Sequence, residues 1–109
     1  MTHAEIEEIL LAKPNATKSF PFNETTAVYK TSDKMFALID TTKDPLRISL
    51  KCDPGLAESL REQFESVMPG YHLNKRHWNT IVLTGQLGDE TLVDLINHSY
   101  NLVEEKITR

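Results

Sequence analysis

The sequence predicts an α+β domain: an antiparallel sheet of about five strands with three helices packed mainly on one face. Three observations predict it. Apolar residues recur at three- and four-residue spacing near both ends and again after residue 53, the signature of amphipathic helices. Between them lie segments of period two, joined by turns too short for βαβ crossovers. Finally, 109 residues with a 39% hydrophobic share suffice for one core, so a single domain over 1–109 is expected, without repeat or linker.

Thr2-His3-Ala4-Glu5 has capping-box spacing and opens the first helix, with Ile6, Ile9 and Leu10 inward and Pro14-Asn15 as its end. Phe20-Pro21-Phe22 reads as an apolar turn, because proline cannot donate to a central ladder. Strands are expected at Thr26–Thr31, Lys34–Asp40 and Leu46–Cys52, the first two joined by a tight Ser32-Asp33 turn that lacks glycine. The second is apolar on both faces and so central. In the third, Leu46, Ile48, Leu50 and Cys52 face one way and Arg47, Ser49 and Lys51 the other. Asp53-Pro54 then starts a helix with Ala57, Leu60, Phe64 and Val67 inward, stopped by Pro69-Gly70. A hairpin follows, Tyr71–Leu73 out and Asn79–Thr84 back, with its tip at Asn74–Trp78. Asp89 opens a last helix that buries Leu92, Leu95, Ile96, Ser99, Leu102 and Val103.

A net charge of -4 argues against a strong indiscriminate DNA binder. No apolar run is long enough for a membrane span, and the first residues lack a basic and apolar leader pattern. With one cysteine, Cys52, no internal disulfide forms, and a cytoplasmic location is expected. Motifs for catalysis are missing. His72 and His77 have no cysteine or acid at metal-ligand spacing, Cys52 alternates inward with Leu50, and there is no glycine-rich phosphate loop. No metal or other cofactor is expected. An enzyme would require distant groups, such as Lys75, His77 and Cys52, to meet in one cleft.

The functional lead is Tyr71-His72-Leu73-Asn74-Lys75-Arg76-His77-Trp78-Asn79, which lies in a stretch from Ser66 to Gly88 without Asp or Glu. On one reading Lys75 and Arg76 pair with phosphates while Trp78, Tyr71 or His77 stack on bases, with His72 nearby and Arg47 and Lys51 extending the patch. On the other, Trp78 and Tyr71 anchor the hairpin in the core and the cations are merely solvated. The first predicts a non-catalytic, monomeric DNA-binding domain whose contacts are weak and salt-dependent. The alternative function is binding of an anionic small molecule or an acidic protein partner.

Five segments, in order along nearly the whole chain, resemble the MmcQ/YjbR family of small bacterial proteins. They are Phe20-Pro21-Phe22, Lys34-Met35-Phe36-Ala37-Leu38, Leu50-Lys51-Cys52-Asp53-Pro54, Pro69 to Asn79, and Ser99-Tyr100-Asn101-Leu102-Val103. The resemblance implies a twisted sheet with flanking helices, like that of CyaY and frataxin, and a double-wing arrangement like that of DNA-binding proteins. Asn23 stands where the family usually has glycine; asparagine tolerates a left-handed backbone, so the turn should survive. A frataxin-like fold also suggests iron handling by an acidic ridge, for which Glu5, Glu7 and Glu8 offer a three-carboxylate cluster that reads as surface charge.

Overall fold

The computed structural model describes residues 1–108, with side chains through Glu105. Its elements are α1 (His3–Leu11), β1 (Ala16–Ser19), β2 (Thr26–Thr31), β3 (Lys34–Asp40), β4 (Arg47–Lys51), α2 (Pro54–Gln63), β5 (Val67–Pro69), β6 (Trp78–Val82) and α3 (Asp89–Thr108). The strands form one antiparallel sheet in the order β1-β2-β3-β4-β6-β5. The α+β class and three helices are as expected, with six strands instead of five.

Local chemistry accounts for the boundaries. The Thr2 side chain accepts from the Glu5 amide while the Glu5 carboxylate accepts from the Thr2 amide, completing the capping box. Asp53 caps α2 by accepting from the amides of Gly55 and Leu56, with Pro54 preset at the first helical position. Ser32 and Asp33 have φ values of 48° and 67°, the two left-handed residues that a type I′ hairpin needs.

Cross-strand register sorts the sheet into two faces. Ala27, Tyr29, Ala37, Ile39, Ile48, Leu50 and Ile81 join Ile6, Leu10, Ala57, Leu60, Leu92 and Ile96 of the helices in the main core. On the other face Val28, Leu38 and Trp78, with Met35 and Leu73, make a small cluster that includes no helical residue. A bulge helps β3 serve both: Met35 pairs with Lys30 and Ala37 with Tyr29, leaving Phe36 as the extra residue, turned into the main core.

Ser99 fastens α3 to that bulge. Fully buried, its hydroxyl donates to the Phe36 carbonyl at 2.5 Å and accepts from the Lys51 amide at 2.9 Å. One hydroxyl thus satisfies two backbone groups where β3 and β4 lose regular pairing. Ser99→Ala should destabilise the fold by about 2 kcal/mol in urea unfolding, because both groups stay buried without this partner. A change below about 0.5 kcal/mol would show that they find another partner.

Three expectations need correction. The Ala57–Leu60 stripe does not continue to Val67: α2 ends at Gln63, Phe64 is extended (φ -130°, ψ 121°), and Val67 lies in β5. Pro69-Gly70 therefore ends a strand, not a helix. The late hairpin pairs Val67–Pro69 with Asn79–Ile81, so Tyr71–Leu73 belong to the connecting loop 70–77. β1 was missed because its four residues, Ala16-Thr17-Lys18-Ser19, are short and polar, an edge strand without a hydrophobic signal.

Candidate functional site

The helix-free face carries a cleft of about 640 Å³. Its floor follows from the register. Ser19, Val28, Leu38, Ser49, Thr80 and Met68 form one row across the sheet, and Thr26, Asp40, Arg47 and Val82 form the next. Leu38, Ser49, Thr80, Thr26, Asp40 and Arg47 from these rows line the cleft. Phe22, Asn23 and Thr25 line it from the β1–β2 loop, Lys43 from the β3–β4 loop, and Tyr71, His72 and Leu73 from loop 70–77. A cleft of this volume is of the size that receives a drug-sized molecule.

Both loop walls are held by polar contacts. Asn23 is not left-handed, contrary to expectation. Its side chain does the work instead: Oδ1 accepts from the amides of Thr25 and Thr26 at 2.9 and 2.7 Å. An Asx turn thereby supplies the bend that glycine would supply by backbone freedom. On the opposite wall the Tyr71 amide donates to Thr80 Oγ1 at 3.0 Å, and Thr80 Oγ1 lies 2.7 Å from Ser49 Oγ. His72 sits at φ 58°, an unusual backbone for a non-glycine residue, and its ring centroid lies 4.0 Å from that of Tyr71.

The rings at the mouth are exposed, Phe22 at 62% and Tyr71 at 65%. The cations and the carboxylate share one end, where Arg47 is the cross-strand partner of Asp40 and Lys43 follows in the loop. The Asp40 carboxyl is held below its ordinary value chiefly by hydrogen bonding from Thr42, whose hydroxyl and amide donate at 2.7 and 3.0 Å, so it stays ionised at neutral pH. Both cations also act on the Asp40 carboxylate through space, but among the described residues neither the Lys43 nor the Arg47 side chain makes an ion pair or hydrogen bond.

Of the eight residues singled out in the sequence, Arg47, Tyr71 and His72 line this cleft, and Lys51, Lys75, Arg76, His77 and Trp78 do not. Trp78 as an outward stacking platform is corrected: only 7% exposed, it packs against Val28 and Leu38 under Leu73. Lys75 folds its ammonium back onto the Gly70 carbonyl at 3.0 Å. His77 is tied through its backbone, accepting from the Cys52 amide at 2.8 Å and donating to the Asn74 carbonyl at 3.2 Å. Arg76 is exposed, and Lys51 lies on the same sheet face, paired in register with Trp78. The α2 residue Arg61 organises this loop from behind, donating to the Lys75 carbonyl, to the Trp78 carbonyl and to Asn79 Oδ1. Lys43 and Phe22 were missed as site residues. An exposed Phe-Pro-Phe run was the available signal for the second, and a lone loop lysine gives none.

Groups considered for catalysis or metal are occupied elsewhere. Burial, then the nearby Asp53 charge, pushes the Cys52 thiol up to about 11, leaving it protonated at neutral pH. His98 Nε2 accepts from the Asp53 amide at 3.1 Å. Glu7 pairs with Lys18 and accepts from the Tyr29 hydroxyl at 3.1 Å, and Glu5 completes the capping box. Among the described residues no three His, Cys, Asp or Glu side chains form a group able to hold a metal ion. No helix among them is long and apolar enough to cross a membrane.

Comparison with known proteins places this architecture. The chain is 37% identical to the uncharacterized protein YjbR of Escherichia coli K12 over 110 aligned positions, covering 97% of this chain and 93% of that one. It is 31% identical to the uncharacterized protein YbdF of Escherichia coli O157:H7, covering 98% and 88%. A Deinococcus radiodurans crystal structure, described as a DUF419 domain, superposes with a TM-score of 0.92 at 42% identity, over 96% of this chain and 80% of that one. A Pseudomonas syringae crystal structure gives 0.80 at 30% identity, over 94% and 99%. The YjbR family model matches residues 11–102, a span that runs from the end of α1 into α3 and includes every residue lining the cleft, and the chain belongs to the YjbR family.

Proposed function

We propose that this domain is a non-catalytic, monomeric binding module that holds an anionic ligand in the cleft of its helix-free face. One observation carries the reading. Lys43 and Arg47 line a preformed cleft between exposed aromatic side chains, and among the described residues neither cation is neutralised by an ion pair. A bound anion complements two cations placed in one cleft, and arginine presents a planar fork suited to phosphate or carboxylate. Thermal-shift measurements with phosphorylated and carboxylated compounds test it. A ligand present at about 100 times its Kd should stabilise by about 2.7 kcal/mol, several degrees in Tm. The Lys43→Met/Arg47→Met variant should fold and lose the response. A wild type indifferent to every anion in the screen, or a variant that responds equally, refutes the reading.

DNA binding is the second reading, supported by a separate feature. Residues 66–88 contain no Asp or Glu, and loop 70–77 exposes Arg76 beside Lys75. Binding through two to four such cations would be weak, with log affinity falling by about 0.9 per phosphate contact against log salt. Lys75→Ala/Arg76→Ala should abolish retention of labelled duplex or single-stranded DNA at low salt, and unchanged retention counts against it. Both readings are consistent with a cytoplasmic protein whose one cysteine is buried and reduced.

A further inference from the structure

Resting on the reading of the cleft as an anion site, we infer that its occupant is a nucleoside monophosphate: a planar ring joined through a pentose to one phosphate. The slot has two chemically different ends. At one, Arg47 and Lys43 face the single carboxylate of Asp40. At the other, Leu73 closes over Trp78 while Leu38 forms an apolar floor, with Tyr71 and His72 on the wall above Thr80.

The spacing between these ends follows from strand geometry. Arg47 and Ser49 are alternate residues of β4, and Ser49 and Leu38 are cross-strand partners, so the charged row and the apolar row lie about 7 Å apart. That is close to the separation a pentose imposes between a phosphate and a base. Phe22 and Tyr71 are the most exposed large apolar side chains of the described residues, and the Phe22 ring stacks on no other ring there. Each offers a face to a planar heterocycle, a contact that serves every base. The Ser49 hydroxyl, in the Leu38 row beside Thr80 and two residues along β4 from Arg47, is placed to meet a sugar hydroxyl.

The charge balance narrows the class further. Two cations against one carboxylate complement one phosphate, whereas a triphosphate would bring excess negative charge against Asp40. The slot therefore favours monophosphates over triphosphates.

The test is an amide chemical-shift titration of the full chain with AMP, ribose 5-phosphate, adenosine and ATP, using wild type, Arg47→Met and Tyr71→Ala. AMP should shift the Ser49, Thr80 and Tyr71 amides saturably. Ribose 5-phosphate and adenosine should each bind about tenfold more weakly, as should AMP to either variant, and ATP no more tightly than AMP. Both substitutions lie at the cleft surface, and an unchanged thermal midpoint shows that any loss is local. If ribose 5-phosphate equals AMP, the aromatic half of the inference is wrong while the anion site stands. ATP binding tenfold tighter than AMP overturns the charge argument. A short oligodeoxynucleotide that outcompetes AMP more than tenfold gives the slot to a strand, not a free nucleotide. If no phosphate compound moves these amides, the nucleotide inference falls, and the anion site falls with it only where carboxylated compounds leave them equally unmoved.

Discussion

Trp78→Ala should destabilise the domain by about 3–4 kcal/mol, the largest effect expected of any substitution near the cleft. Trp78 is the chain's one tryptophan, and its ring is the main volume of the outer-face cluster with Val28, Leu38, Met35 and Leu73. Removing it opens a cavity that the four remaining residues on a helix-free face cannot refill. Because Leu73 rests on this ring, the loss also frees loop 70–77, which bears Tyr71. Urea unfolding gives the stability change. A chemical-shift comparison should show displaced amides from Gly70 to Asn79 with little change in α1, and Trp78→Phe should recover most of the loss. A loss below about 1 kcal/mol for Trp78→Ala would mean that the ring is exposed in solution, and would restore it as a stacking platform.

Gly70→Ala is the second large effect, about 3 kcal/mol at the upper end of overpacking costs, or roughly 12 °C in Tm. The reason is close approach and not dihedral freedom, since Gly70 has no positive φ. A methyl group there would lie 2.7 Å from Trp78 Cβ, 3.1 Å from the Trp78 carbonyl oxygen and 3.2 Å from Leu73 Cβ. Two of these atoms are fixed by the β6 backbone, and the Gly70 amide already donates to that same carbonyl at 2.8 Å. Relief requires moving the strand end and with it the Lys75–Gly70 contact. Gly85→Ala is the useful contrast. There nothing lies within 4 Å and the obstacle is a φ of +90°, so the penalty should be smaller and should leave the cleft amides unmoved. Equal losses at both glycines would show that packing against Trp78 is not the cause.

Elements with a dense local signal were legible from the residues. The capping box at Thr2, the Asp53-Pro54 start of α2 and the bounds of β2 and β3 were all expected and found. The end of α2 was misjudged because Phe64 and Val67 happen to continue a three-residue spacing. Spacing alone does not reveal that Phe64 leaves helical dihedrals and that Val67 pairs with Ile81. The site was legible in part. Arg47, Tyr71 and His72 were picked out by charge and aromatic content, yet for a patch centred on Lys75 and Trp78 that the chain folds differently.

Periodicity, caps and turn residues act over a few neighbouring positions, and so the amino-acid order alone carried the class, the helices and the central strands of this protein. Which ring faces water was settled by contacts between residues far apart. Trp78 and Tyr71 are alike to any count of composition, but Val28, Leu38 and Leu73 bury one and the Thr80 hydroxyl pins the backbone of the other at the cleft. The cleft itself unites Phe22, Lys43, Arg47 and Tyr71 from four separate segments. Only closing the sheet brings them together, because strand register, and no local preference, fixes which side chains share a face.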